Sequence, residues 1–181
     1  MKNSKGLIFV LAIGIAACNN NNKQSKADTL ANAIVPTDTI QVTKPLSGKV
    51  PLENLPVRAK EYVSKNYGGY TISGAAYDPL CAGGDAIDVA INKNGMSNYS
   101  LIFLPDGTFI QQEEDVNLDK APANVLKTVK DKFTDYKPAN QIERLTLADK
   151  TIEYLLDISK GTVTKEVIFK EDGTIVCESR E

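Results

Sequence analysis

The sequence predicts an α+β fold, two tandem α-β-β-β-β repeats joined into one antiparallel sheet of about eight strands with the helices on one face. Three observations predict it. First, Ile102-Phe103-Leu104-Pro105-Asp106-Gly107-Thr108-Phe109 returns as Ile168-Phe169-Lys170-Glu171-Asp172-Gly173-Thr174-Ile175. An apolar run, an Asp-Gly pair and a second apolar run is the strongest short-range signal for a β-hairpin. Second, the copies lie 66 residues apart, and the same displacement aligns Pro56 with Pro122, Val63 with Val129, Tyr67 with Phe133, Tyr70 with Tyr136 and Gly95 with Gly161. A repeat of this period means one supersecondary unit used twice. Third, each copy contains one segment of helical spacing followed by short runs that alternate apolar and polar residues.

The chain opens with Lys2 and Lys5 and a twelve-residue apolar run from Gly6 to Ala17. A bilayer needs about 20 such residues, so residues 1–17 fit a signal peptide and not a span. The run ends at Ile15-Ala16-Ala17-Cys18, which resembles the bacterial lipobox. The resemblance implies that Cys18 carries the acyl chains of a lipoprotein. Two or three chains, at ~0.8 kcal/mol for each buried methylene, hold a protein on a membrane essentially permanently. Asn19, where an aspartate would favour the inner membrane, implies sorting to the outer membrane, facing the periplasm or the cell surface.

Residues 18–53 read as the lipidated cysteine and a flexible tether, rich in Asn, Thr, Lys, Ser and Pro with scattered apolar positions. Asp28-Thr29-Leu30 and Asp38-Thr39-Ile40 resemble an Asp-Thr-aliphatic O-glycosylation sequon, which makes Thr29 and Thr39 candidate acceptors.

Residues 54–119 and 120–181 are the two repeats. Pro56 opens a helix that Gly68-Gly69 ends, with Ala59, Tyr62, Val63 and Tyr67 on one face. Its counterpart, Ala121 to Phe133, places Val125, Leu126, Val129 and Phe133 on an apolar stripe. Strand-like runs follow at 71–77, 86–92, 99–104 and 108–113, and again at 141–147, 151–158, 164–170 and 174–179. In the first hairpin, Pro105 suits the first central position of a type I turn and Gly107 the left-handed position that follows, so a three-residue loop with a bulge is expected. Leu101, Phe103 and Phe109 then share the core face with Val167, Phe169, Ile175 and Cys177. Ile102, Leu104, Ile110, Ile168 and Val176 share the other, expected to be exposed.

A helix and four strands, twice, behind a lipobox and with the repeated Phe-x-x-Asp-Gly-Thr hairpin, resembles the PepSY-like, β-lactamase-inhibitor-like family of periplasmic lipoproteins. The likeness covers residues 54–181 and rests on soft patterns, not on a catalytic signature. It implies a protein-binding or inhibitory module that uses its open sheet face, and no residue shows inhibition of a β-lactamase.

Composition bounds the chemistry. The 181 residues include 21 basic and 23 acidic side chains and no histidine. Without a basic cluster, nucleic acid is not the expected partner. Without histidine the commonest general base and zinc ligand are missing, so no enzyme activity, metal or cofactor is expected. Cys81 and Cys177 are candidates for a disulfide: export favours the pair, whereas a core-facing Cys177 and a loop-borne Cys81 speak against it. Asp85 and Asp88 beside Gly83-Gly84 lack the further oxygen ligands calcium needs, and Glu113-Glu114-Asp115 reads as a solvated strand edge. Nothing in the sequence selects two of these carboxylates as a glycosidase pair. The expected function is an outer-membrane-anchored binding module for a protein or peptide, through Ile102, Leu104, Ile110, Ile168 and Val176. The alternative is a small-ligand or envelope-structural lipoprotein with no protein target.

Overall fold

The computed structural model describes residues 46–179. Cys18, Thr29 and Thr39 lie outside them. The described elements are β1 (Gly48–Lys49), a 3-10 turn (Leu52–Asn54), α1 (Val57–Asn66), β2 (Thr71–Tyr77), β3 (Ile87–Asn92), β4 (Tyr99–Phe103) and β5 (Phe109–Asn117). A second 3-10 turn (Leu118–Lys120) leads to α2 (Ala123–Lys132), β6 (Lys137–Pro138), β7 (Gln141–Leu147), β8 (Ile152–Lys160), β9 (Val163–Lys170) and β10 (Ile175–Glu178). The strands form one antiparallel sheet in the order β1-β2-β3-β4-β5-β7-β8-β9-β10, with β6 also on β8. The class is therefore α+β, with ten strands in place of the eight expected.

Pro56 and Pro122 stand immediately before the helices, where a missing N–H costs nothing. α1 ends where the Tyr67 amide donates to the Val63 carbonyl, and α2 where that of Phe133 donates to Val129. α1 buries Ala59 and Val63 against Ile87, Val89, Ile91, Leu101 and Phe103. α2 buries Val125 and Val129 against Ile142, Leu156, Ile158, Val167 and Phe169. Strand register places both sets of strand residues on one face. Tyr62 stacks on Phe109 with ring centroids 4.3 Å apart, so this aromatic is core.

Two expectations are corrected here. The end of the expected spacer is structured: β1 pairs with β2, Val50 is buried in the first core cluster, and Leu52 and Glu53 lie in the 3-10 turn. The strand expected to stop at Glu113 continues to Asn117, because β7 supplies Glu114–Asn117 with a ladder running from Gln111↔Leu147 to Asn117↔Gln141. That partner is remote in sequence, and the local pattern carries no trace of it.

Both Asp-Gly hairpins have the three-residue loop. Phe103 pairs with Phe109 and Phe169 with Ile175, with Gly107 and Gly173 at φ +82° and +83°. The pairing then slips: Ile102 faces Gln111 and Ile168 faces Cys177, so Ile110 and Val176 are bulge residues. A bulge moves every later side chain to the opposite face. Cys177, expected on the core face, therefore lies on the face of Ile168, and Glu178 takes the core side, where it pairs with Lys165 at 3.5 Å.

Candidate functional site

The face turned away from the helices is acidic. Register places Asp88 of β3, Glu113 and Asp115 of β5, Glu143 of β7, Glu153 and Asp157 of β8 and Glu166 of β9 on it. The pattern arises because the apolar half of each alternating strand is used under the helices, which leaves the polar half to line one surface. Between these carboxylates lie Ile102, Leu145, Leu155 and Ile168. Ile102 and Leu145 are 2% and 0% exposed, so the expected open apolar stripe is corrected: Ile102 is enclosed, Ile110 and Ile168 are half-buried, and only Leu104 and Val176 stand out, at 37% and 46%.

The cause is the connection between β2 and β3. Residues 78–84 cross this face, and Cys81 is disulfide-bonded to Cys177 of β10. The geometry of the sheet follows. Seven strand spacings of ~4.8 Å separate β2 from β10, roughly 34 Å if the sheet were flat. Four residues from Tyr77 to Cys81 reach about 14 Å, and the bonded cysteines add 6.1 Å between Cα atoms. A flat sheet cannot be bridged by so short a strap, so the sheet curls toward the strap and the acidic face is concave.

The result is a cavity of about 530 Å3. Asp78 of the strap completes a set of eight carboxylates in its wall, and no Lys or Arg lines it. Burial lifts the carboxyl groups of Asp78, Asp88 and Glu166 above the usual range, with further repulsion from Asp78 on the latter two. Glu113 is pushed up to about 8 by burial first and then by Glu143, although Gln111 donates to it at 2.8 Å. Glu143 is pushed up to about 7 by burial and by Asp115, Asp157 and Glu166. The Oδ1 of Asp88 is buried without a hydrogen-bond partner. Water removed from several like charges leaves each costly to ionise, and an entering cation would relieve all of them together.

Among the described residues no group of three or more His, Cys, Asp or Glu side chains could hold a metal ion. Asp85, weighed above as a ligand, instead accepts a bond from the Leu46 amide at 2.9 Å. Glu113 and Asp115 sit in the cavity wall, whereas Glu114 faces the other side with Arg144 as its register partner. The acidic run is thus divided between two faces and is not a solvated edge. No helix of the described residues is long and apolar enough to cross a membrane.

Sequence reasoning missed this site. Its carboxylates are scattered over six segments, the strap and five strands, and only alternation within each strand, read together with the bulge at Ile110, brings them to one surface. Of the apolar residues chosen, Ile102, Ile110, Ile168 and Val176 do line the cavity, and Leu104 does not.

No family model and no curated protein matches the chain. Among solved structures, it is similar to a candidate periplasmic protein from Bacteroides eggerthii, with 18% identity over 68% of this chain and 87% of that one and a TM-score of 0.49. It is also similar to a DUF2874 family protein from Bacteroides uniformis, with 13% identity over 68% and 87% and a TM-score of 0.49. A BLIP-like protein from Bacteroides fragilis matches with 16% identity over 73% and 88% and a TM-score of 0.48. No residue of the site is carried over from them.

Proposed function

We propose that this chain is a binding module of the bacterial envelope whose concave sheet face receives a cationic segment of a protein partner. One observation carries the reading: eight carboxylates and no basic side chain wall one cavity in a chain whose net charge is only −2. Lys or Arg entering this wall would be paired in a partly dried setting, where such contacts are stronger than at an open surface. Ile102, Ile110, Leu155 and Ile168 offer the methylene stem of such a side chain an apolar floor.

The test is fluorescence anisotropy with a labelled lysine-rich peptide and its glutamate counterpart. The lysine peptide is expected to bind, more weakly as salt is raised, and to lose at least tenfold in affinity with Glu113→Gln/Glu143→Gln. Equal binding of both peptides, or no binding at low salt, sinks the reading. A second reading, a small polyamine, is favoured by the cavity volume, which lies in the range of small-molecule sites. Displacement of the peptide by spermidine at equal charge concentration would support it.

The same proposal includes the setting of the module. Residues 54–119 and 120–181 are one α-β-β-β-β unit used twice, and the matched bulged hairpins and separate helix-centred cores support this. The basic and apolar leader and Ile15-Ala16-Ala17-Cys18 support export and acylation at Cys18, with outer-membrane sorting. The bonded Cys81–Cys177 pair suits an oxidising compartment. The protein is read as non-catalytic, which the lack of histidine supports.

A further inference from the structure

We infer that the Cys81–Cys177 disulfide is a clasp that keeps the strap of residues 78–84 closed over the acidic face, and that a dithiol opens the face by reducing it. This goes beyond the binding reading and does not depend on the cavity's ligand.

Three observations carry it. The strap's backbone hydrogen bonds run within itself, from the Leu80 amide to the Gly84 carbonyl and from the Gly83 amide to the Leu80 carbonyl, or to its own root, from Asp78 to Ala86. The strap borders two hollows. One is the cavity of about 530 Å3, and the other, of about 930 Å3, lies between the strap and Asp157, Thr164, Glu166 and Ser179. Finally, Pro79, Ala82, Gly83 and Gly84 are exposed and Leu80 and Cys81 only half-buried, so the strap is not packed into the sheet as a core loop would be. What ties its middle to the far strand is the bond between Cys81 and Cys177, residues 96 apart in sequence.

The chemistry balances without any other component. A thiolate of the dithiol attacks one cysteine sulfur and breaks the disulfide, which gives a mixed disulfide and frees the other cysteine as a thiol once protonated. The second thiol of the dithiol then closes on the mixed disulfide and releases the remaining cysteine. Two electrons have passed to the protein, and the dithiol leaves as its cyclic disulfide. Both cysteines are half-buried and not sealed in the core, which leaves the bond open to attack.

While clasped, the site admits a slender chain or a single side chain, and unclasped it presents a broad concave face. A change of ligand class with redox state follows.

The experiment is carboxyl footprinting with carbodiimide and glycine ethyl ester on the full chain. It is run with the disulfide intact, after dithiothreitol and thiol blocking, and on Cys81→Ser/Cys177→Ser. Labelling at Asp88, Glu113 and Glu143 is expected to rise at least tenfold on opening, while the exposed Asp106 and Asp172 stay constant as internal controls. Hydrogen exchange is read in parallel, with Leu80 and Gly83 expected to lose protection by a larger factor than Leu101 and Val167. Unchanged labelling with a still-protected strap overturns the inference, because other contacts would then hold the roof. Equal loss of protection in strap and core also overturns it, because the bond would then be a staple of the whole fold. A clasp that opens as described while the lysine peptide fails to bind in either state would defeat the binding reading alone.

Discussion

Gly173 lies against Asn124 so closely that a Cβ on the glycine would stand 2.6 Å from the Asn124 carbonyl oxygen. Thr128 Oγ1 would be 2.7 Å away, and it already donates to the Gly173 carbonyl at 3.0 Å. In the first half, a Cβ on Gly107 would meet Pro56 Cβ at 2.9 Å and the Ala59 amide nitrogen at 3.0 Å. Each hairpin tip is therefore wedged against the first turns of the helix in its own half. Gly173→Ala and Gly107→Ala should each cost about 2–5 kcal/mol, from positive φ together with overpacking. Urea melting checks this, with Gly173→Ala expected to cost the more because rigid backbone is in the way. Near-neutral variants would mean that the helices are not seated on the hairpins.

Lys150 occupies the same place in the β7–β8 turn as the two hairpin glycines, at φ +73°. Asp149 accepts from the Thr151 amide at 2.9 Å, as Asp106 does from Thr108 and Asp172 from Thr174. A side chain in the left-handed region costs about 1–2 kcal/mol, partly offset in glycine by backbone entropy. Lys150→Gly should thus stabilise the protein by roughly 0.5–1 kcal/mol, visible as a higher urea midpoint at unchanged slope. A lower midpoint would show that the lysine side chain contributes more than its strain costs.

Ile102 and Val176 share the concave face but should respond in opposite ways. Ile102→Ala removes a nearly fully enclosed side chain and should cost about 2–5 kcal/mol. Val176→Ser, at an exposed bulge position, should stay within about 0.5 kcal/mol of the parent. Equal effects in thermal melting would contradict the register.

The acidic face also sets a pH profile. Glu113 and Glu143 are raised in the folded state, so between about pH 4.5 and 8 the native protein holds more protons than the unfolded chain. Stability then falls as pH rises through that window, on the order of a few kcal/mol for the pair. Asp106, Asp149 and Asp172 are lowered by their threonine bonds, and their contribution is lost only as pH falls below the ordinary carboxylate range. Maximal stability should therefore lie near pH 4–5, and Glu113→Gln should flatten the decline above it. Denaturant melts at pH 5 and 8.5 decide the matter, and greater stability at pH 8.5 would refute the crowding of charge.

The sequence by itself determined the helices, the hairpins and their bulged loops. Each is encoded within a few residues: Pro56 and Pro122 at helix starts, Asp-Gly-Thr at turns, and alternation that places Phe103 and Phe169 in the core. The turn at Lys150 has no glycine to mark it in the sequence, although Asp149 and Thr151 repeat the same hydrogen bond. Only the tertiary structure decided the ladder between β5 and β7, the burial of Ile102 and the gathering of Glu113, Glu143 and Glu166 on one surface. These depend on which strand lies next to which, and on a bulge at Val176 that turns Cys177 toward Cys81. A one-residue slip reverses a face while leaving the local pattern unchanged, and the strap that covers the face is fixed by a bond to the far edge of the sheet.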